Sequence, residues 1–132
     1  MKRSSIALLV VALSLVSLGS LDAAPKESNL PPKLGDKELV ALIKAQGQRL
    51  LILDVRTAEE YEAGHLPAAV LLPYDEIGAT FAEAEKGRPI VVYCRSGRRS
   101  AIAKATLASM GYANVSDFGA VGNWSGPLIK GK

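Results

Sequence analysis

The chain has 132 residues, with 16 lysines and arginines against 13 aspartates and glutamates, and a formal net charge of +3. This length suits one modest domain and is too short for two. Aromatic residues are few and no basic stripe runs along a predicted helix, so the composition argues against a nucleic-acid-binding protein. The single cysteine excludes an internal disulfide.

Residues 1–23 have the pattern of a secretory signal peptide. A positively charged start precedes an almost wholly apolar run from Ile6 to Leu18, which is short for a membrane span. Cleavage after Gly19 and cleavage after Ala23 both fit the pattern, and an uncleaved N-terminal anchor is the alternative. We therefore expect a periplasmic or secreted protein with no stable membrane anchor once the leader is removed.

Strand-like and helix-like segments alternate along the rest of the chain. A proline-containing linker at 24–34 precedes a predicted helix from a cap at Asp36 to Gln46 and a strand at 50–53. A short helix at 57–63 with capping-box spacing, a strand at 69–72 and a helix from a cap at Asp75 to about Ala84 follow. The last predicted elements are a strand at 90–93, a helix that presents Ile102, Ala103, Thr106, Leu107 and Met110 on one face, and a strand at 114–117. Short loops between such elements imply βα units. The predicted fold class is α/β, with a mostly parallel central sheet flanked by helices on both faces.

Cys94 follows the apolar run of the third predicted strand and precedes the segment RSGRRS at 95–100. A thiol at a strand-to-helix turn lies near backbone N–H groups and the positive end of a helix, and both favour the thiolate. The arginines and Gly97 argue against burial of this cysteine in an apolar core. We therefore predict a reactive, accessible thiol rather than a structural one.

Three arginines, Arg95, Arg98 and Arg99, lie in this segment. Guanidinium groups suit the binding of a small dianion and can stabilise an anionic leaving group. Because three like charges repel one another, we expect one or two to face the substrate and another to face solvent or pair with a carboxylate. Ser96 and Gly97 are expected to act through their backbone N–H groups.

Asp54 and Arg56 follow the first predicted strand. Since ligands bind beyond the carboxyl ends of parallel strands, we expect Asp54 and Cys94 to share one mouth. Asp54 and Arg56 are predicted to have supporting roles. Asp54 is expected to brace the cysteine loop, and Arg56 to pair with Glu59 or Glu60. Glu60 itself is assigned only to the capping box.

His65, the only histidine, lies in a Gly-His-Leu-Pro turn. This position favours a structural hydrogen bond over a role as a general base. One histidine and one cysteine do not supply a ligand set for a metal, so neither a metal site nor a cofactor is expected.

The chain resembles the rhodanese family in three segments whose order and spacing match. This resemblance implies a single rhodanese-like domain at 35–132. It is weaker at the tail, where GAVGNW at 119–124 stands in place of the double glycine and final helix of many members. The matching segments are LDVR at 53–56 with EEYEAGHLPAA at 59–69, VVYCRSGRRS at 91–100 and MGYANV at 110–115.

The resemblance implies a thiosulfate:cyanide type of sulfurtransferase that works through a Cys94 persulfide. Thiosulfate or another sulfane-sulfur donor would supply the sulfur, and a thiol or cyanide would accept it, with a thioredoxin-like protein among the candidate acceptors. A monomer is expected. The implied substrate-binding residues are Arg95, Ser96, Gly97, Arg98, Arg99 and Ser100.

Three alternatives remain open from the sequence. The chain could be a persulfide carrier for a protein partner, a non-catalytic binding module, or a cysteine phosphatase or arsenate reductase of related fold. The last two enzymes resemble a His-Cys-x5-Arg pattern, whereas here Tyr93 precedes the cysteine and Ser100 lies six positions after it. Sulfur transfer therefore fits this loop better than chemistry on a tetrahedral phosphate.

Overall fold

The computed structural model describes residues 29–132, and the predicted leader lies outside the described residues. Its sheet has four parallel strands in the order β2-β1-β3-β4. The strands are β1 (Leu51–Asp54), β2 (Val70–Leu71), β3 (Ile90–Cys94) and β4 (Val115–Ala120), and the helices are α1 (Asp36–Gln46), α2 (Ala58–Ala63), α3 (Ile77–Thr80) and α4 (Arg98–Ser109). None of the helices within this part of the chain has the length and apolar character that crossing a bilayer requires.

Both faces of the sheet are covered, which confirms the predicted α/β architecture. Strand β3 is buried along its whole length, so it is apolar on both sides rather than alternating. Its Val92 and Cys94 side chains pack with Leu107 of α4, while Val91 and Tyr93 pack with Leu39 of α1. Alternate residues of one strand thus belong to two separate cores.

The short helix α2 has the predicted capping box. The Thr57 hydroxyl accepts a hydrogen bond from the Glu60 N–H at 3.2 Å, and the Glu60 carboxylate accepts one from the Thr57 N–H at 3.4 Å. Gly64 ends the helix as predicted. The capping box thus fixes the Glu60 side chain at the start of α2.

Two predicted helix caps are wrong. Helix α1 has the predicted bounds, but its cap is Gly35, and the Asp36 carboxylate instead accepts hydrogen bonds from the N–H and hydroxyl of Ser125 at 2.9 and 2.6 Å. Helix α3 begins after Glu76 rather than Asp75 and ends at Thr80. The chain turns extended at Phe81, whose ring packs edge-to-face on Tyr112 at 5.0 Å, so a tertiary contact ends this helix before Ala84.

The predicted apolar face of α4 is correct in part. Ser100, Ala103 and Leu107 are buried and form one stripe at helical spacing, but Ile102 is 37% exposed. A position adjacent to Ala103 is rotated by about 100° around the helix axis. The helix therefore packs on the sheet with a narrower face than the sequence pattern suggests.

The folded domain begins before residue 35. Within the segment interpreted as a linker, Lys33 forms a bridge with Asp117, and Leu34 is buried with its N–H bonded to the Asp117 carbonyl at 3.3 Å. Strand β4 extends three residues past its predicted end. A register shift leaves Phe118 as an extra residue opposite β3, and Gly119 follows with a φ of 80°.

Replacing Leu107 with Ala removes a fully buried side chain from the core between α4 and the sheet. We expect the free energy of unfolding to fall by about 2–5 kcal/mol, measured by urea denaturation. The control is Ile102→Ala on the same helix, which should change stability by about 0.5 kcal/mol or less because this side chain is exposed. Equal losses in the two variants would contradict the described orientation of α4.

Candidate active site

Cys94 is the last residue of β3, and the chain turns immediately into α4 at Arg98. Gly97 makes this turn possible because its φ of 101° is a left-handed conformation that other residues rarely adopt. In that conformation the Gly97 N–H donates a hydrogen bond to the Cys94 Sγ at 3.0 Å. The sulfur thus lies against backbone donors at the start of a helix, where a negative charge is stabilised.

The expectation that Cys94 escapes burial is wrong. Its exposed fraction is 0%, and its side chain packs with Val92 and Leu107 in the core beneath α4. The alternation of β3 is the reason, because the last strand residue still points to the same face as Val92. Arg95 and Ser96 are exposed above it. The sulfur is therefore covered by the loop that also polarises it.

The hydrogen bonds of the cysteine loop lower the pKa of the Cys94 thiol by more than burial raises it. Burial disfavours the thiolate, but hydrogen bonds from the Ser100 hydroxyl and from the backbone N–H groups of Ser100, Gly97 and Ser96 lower the pKa of Cys94 below its ordinary value. The Ser100 hydroxyl also lies 3.0 Å from the Gly97 carbonyl oxygen. Its single proton serves one of these two acceptors at a time.

The three loop arginines have different surroundings. Arg99 forms a bidentate ion pair with Glu60 on α2, at 2.7 and 3.0 Å, so it is the arginine that pairs with a carboxylate. Arg95 and Arg98 are exposed, and among residues 29–132 neither takes part in an ion pair. Glu60 was assigned by sequence to the cap alone, and this second role was missed because its partner lies 39 positions away.

Asp54 and Arg56 form a buried ion pair. The Arg56 Nε and Nη2 donate to the two Asp54 carboxylate oxygens at 2.9 and 2.7 Å, and Nη2 also donates to the Gly64 carbonyl at 2.7 Å. Burial lowers the pKa of Arg56, but the hydrogen bonds and charge of Asp54, together with Tyr93 and Glu60, raise it above its ordinary value. The expected pairing of Arg56 with Glu59 or Glu60 is therefore wrong.

Asp54 does not share a mouth with Cys94. Its carboxylate accepts a hydrogen bond from the Tyr93 hydroxyl at 2.7 Å, on the face of the sheet opposite to Cys94. Burial and this hydrogen bond raise the pKa of Tyr93, which stays a donor. Within the described residues Asp54 has no hydrogen bond to residues 95–100, so its predicted bracing of the loop is corrected: it braces Arg56 and Tyr93.

A cavity of about 320 Å³, here called the arginine cavity, opens beside the cysteine loop. Arg56, whose Nε and Nη2 are held by Asp54 and Gly64, is part of its wall. The lining thus combines two guanidinium groups and one carboxylate with an apolar side. Its residues are Arg56, Glu60, Ala63, Gly64, Arg95, Val121 and Leu128.

The C-terminal segment supplies the apolar wall of this cavity. Ile129 and His65 exchange two backbone hydrogen bonds at 2.8 and 2.9 Å, which holds Leu128 against Gly64. The sequence offered no signal for this contact, since the tail has no periodicity. In the segment that stands in place of the final helix of many family members, the chain forms a short 3₁₀ turn at Val121–Asn123.

His65 lies away from the sulfur. Its Nδ1 is 2.8 Å from the Tyr61 carbonyl, and its ring stacks on that of Tyr61 at 3.7 Å, consistent with the structural role predicted. Within residues 29–132 there is no group of three or more His, Cys, Asp or Glu side chains that could hold a metal ion.

The fold and the candidate site together define the structural class of this protein, which is a parallel α/β sheet with a basic, cysteine-containing loop between a central strand and the helix that follows it. Residues 36–125 match the family of rhodanese-like domains, and the chain belongs to that family. The resemblance in the three sequence segments is thereby confirmed.

Individual relatives are consistent with this family assignment. The chain is 36% identical over 81 residues to the thiosulfate sulfurtransferase PspE of Escherichia coli (strain K12), which covers 60% of this chain and 78% of that protein. It is 39% identical over 80 residues to a sulfurtransferase of Allochromatium vinosum, covering 61% of this chain and 75% of the relative. A solved structure of a rhodanese with anions from E. coli has a TM-score of 0.58 at 34% identity, covering 62% of this chain and 99% of that one.

Replacing Asp54 with Asn leaves the buried Arg56 guanidinium without its charge partner. We expect the free energy of unfolding to fall by roughly 3–5 kcal/mol, measured by urea denaturation at neutral pH. The control is Asp75→Asn, at an exposed turn position, which should change stability by about 0.5 kcal/mol or less. A loss no larger than that of the control would show that Asp54 does not stabilise Arg56.

Titration of the thiolate absorbance near 240 nm should give Cys94 a midpoint below the ~8.5 of a free cysteine. Ser100→Ala removes one donor to the thiolate, so the midpoint should rise relative to the unsubstituted protein. Cys94→Ser supplies the blank for tyrosine absorbance. An unchanged midpoint in the Ser100 variant would assign the hydroxyl to the Gly97 carbonyl alone.

Proposed function

We propose that this protein transfers a sulfane sulfur from thiosulfate to a thiol or cyanide through a persulfide on Cys94. The observation that carries the proposal is the thiol at the end of β3, held by loop N–H donors that lower its pKa and followed by two exposed arginines, Arg95 and Arg98, that form no ion pair within residues 29–132. The sulfurtransferase relatives support the same class of reaction.

In the first half-reaction the Cys94 thiolate attacks the outer sulfur of thiosulfate. A new S–S bond forms, the S–S bond of thiosulfate breaks, and its electron pair leaves with sulfite. The thiolate and the thiosulfate dianion become a persulfide anion and a sulfite dianion, so the total charge is unchanged and no proton or redox partner is required. Arg95, with Arg56 in the cavity wall, would attract the donor and stabilise the departing sulfite.

In the second half-reaction a thiolate or cyanide attacks the outer sulfur of the persulfide. The S–S bond breaks, its electrons return to Cys94 as the thiolate, and the acceptor leaves as a persulfide or as thiocyanate. The loop N–H groups that hold the thiolate would also stabilise it as the leaving group. The same donors thus serve both halves of the cycle.

The covered sulfur constrains how the donor approaches. Cys94 has no exposed surface, so the segment 95–97 has to shift enough to admit one sulfur atom. A sulfane donor satisfies this because only its outer sulfur reaches the thiolate, while its charged group stays outside with the arginines. A phosphoryl group would have to bring a tetrahedral centre against Cys94, and position 100 holds Ser rather than Arg. This geometry favours sulfur transfer over the phosphatase alternative.

The site of action follows from the leader. The proposed signal peptide at 1–23 would deliver the domain to the periplasm or outside the cell. A thioredoxin-like protein is one thiol acceptor that this location allows.

The test is an intact mass of the purified protein after incubation with thiosulfate. We expect a gain of roughly 32 Da that a thiol reductant or cyanide removes, with thiocyanate formed in the second case. Cys94→Ser should show neither the added mass nor thiocyanate. A protein that accepts sulfur from a persulfide donor but not from thiosulfate would be a carrier, and hydrolysis of an aryl phosphate without the adduct would make it a phosphatase.

A further inference from the structure

Glu60 connects two elements that meet beside the cysteine loop. Its Oε1 takes part in the capping box with Thr57 and also accepts from Arg99 Nη1 at 2.7 Å, while Oε2 accepts from Arg99 Nη2 at 3.0 Å. Both side chains of the ion pair are largely buried, with 22% of Arg99 and 27% of Glu60 exposed. The start of α2 is therefore fastened to the first turn of α4.

Arg99 lies within electrostatic reach of the sulfur as well as of Glu60. The hydrogen bonds and charge of Glu60 raise the pKa of Arg99, and the charge of Cys94 adds to this effect. In turn, Arg99 lowers the pKa of Glu60 to about 2, so this carboxylate stays ionised throughout the range in which the thiol titrates. One guanidinium group is thus shared between a permanent carboxylate and a titrating thiolate.

The charges around the arginine cavity balance in pairs. Asp54 compensates Arg56, and Glu60 compensates Arg99, which leaves the exposed Arg95 and Arg98 as the positive excess. Among the residues that the structure describes, Glu60 is also the one carboxylate that lines the cavity. Removing its charge would add one unit of positive charge to a wall that an anionic donor has to approach.

We infer that Glu60 is a positioning residue whose charge balances Arg99 beside Cys94, so that an anionic sulfur donor is drawn in without its anionic product being retained. This inference rests on the proposed function for its meaning and on the ion pair for its geometry. It gives helix α2 a role in the site beside those of the cysteine loop and Arg56.

Glu60→Gln is the variant that isolates the charge. Glutamine keeps one oxygen as acceptor for Thr57 and for one Arg99 nitrogen, and the capping box accepts either residue. Without the carboxylate, Arg99 acts on the thiolate uncompensated, so the Cys94 pKa should fall by about half a pH unit, measured by the 240 nm titration. The matched control is Glu59→Gln on the same helix, which is exposed and outside the cavity and should leave the midpoint unchanged.

Kinetics give a second measurement. In Glu60→Gln we expect the KM for thiosulfate and the inhibition constant for sulfite each to fall by about threefold, because donor and product are both dianions. These effects should shrink as ionic strength rises, since added salt screens charges at the cavity mouth. Glu59→Gln should match the unsubstituted protein in both constants.

A variant that neutralises the partner charge, alone and together with Glu60→Gln, separates the charge effect from loss of structure. Arg99→Gln should raise the Cys94 pKa, and the double variant Glu60→Gln/Arg99→Gln should return it close to the original value, as compensation requires. A midpoint that stays the same or rises in Glu60→Gln would overturn the inference. The titration needs no turnover, so a protein that takes no sulfur from thiosulfate would refute the proposed function while the role of Glu60 is still decided.

Discussion

The short hydrogen bond between the Gly97 N–H and the Cys94 Sγ depends on a backbone conformation that few residues other than glycine adopt. The left-handed conformation of Gly97 lets the chain leave β3, reverse over the sulfur and begin α4 within three residues. A longer turn would carry the N–H groups away from Sγ. Burial disfavours the Cys94 thiolate, and these donors lower the pKa of the thiol by more than burial raises it.

Tight folding of the loop also explains its close packing against β4. A Cβ on Gly97 would lie 3.9 Å from the Gly119 Cα, so the two glycines pass each other at the carboxyl edge of the sheet. The register shift in β4 brings Gly119 to this position. The irregular strand end and the cysteine loop are therefore parts of one arrangement.

The arginines near the sulfur divide into two kinds with different physical roles. Arg56 and Arg99 are held by carboxylates, so their positions are defined and their charge is largely compensated. Arg95 and Arg98 extend into solvent, where a charge acts at long range and remains free to meet a ligand. In the proposed function, the fixed Arg56 forms part of the cavity wall, and the exposed arginines would attract an anionic donor.

The amino-acid sequence by itself was enough to predict the α/β class, the parallel strands, the capping box of α2 and the position of Cys94 at a strand-to-helix turn. These features depend on neighbouring residues and on hydrophobic periodicity, which a linear pattern contains. The limits of this reasoning appear at α3, where the contact of Phe81 with Tyr112 ends a helix that the local pattern would continue.

Only the tertiary structure decided which distant residues meet. Glu60 pairs with Arg99, and Leu128 contacts Gly64, although the two members of each pair are far apart in the chain. The Asp54 carboxylate accepts a hydrogen bond from the Tyr93 hydroxyl because alternate strand residues face opposite sides of the sheet. The burial of Cys94 has the same cause, since its face of β3 is set by the packing of α4. The sequence determines these contacts only through the fold, because the separation of two residues along the chain does not give their distance in space.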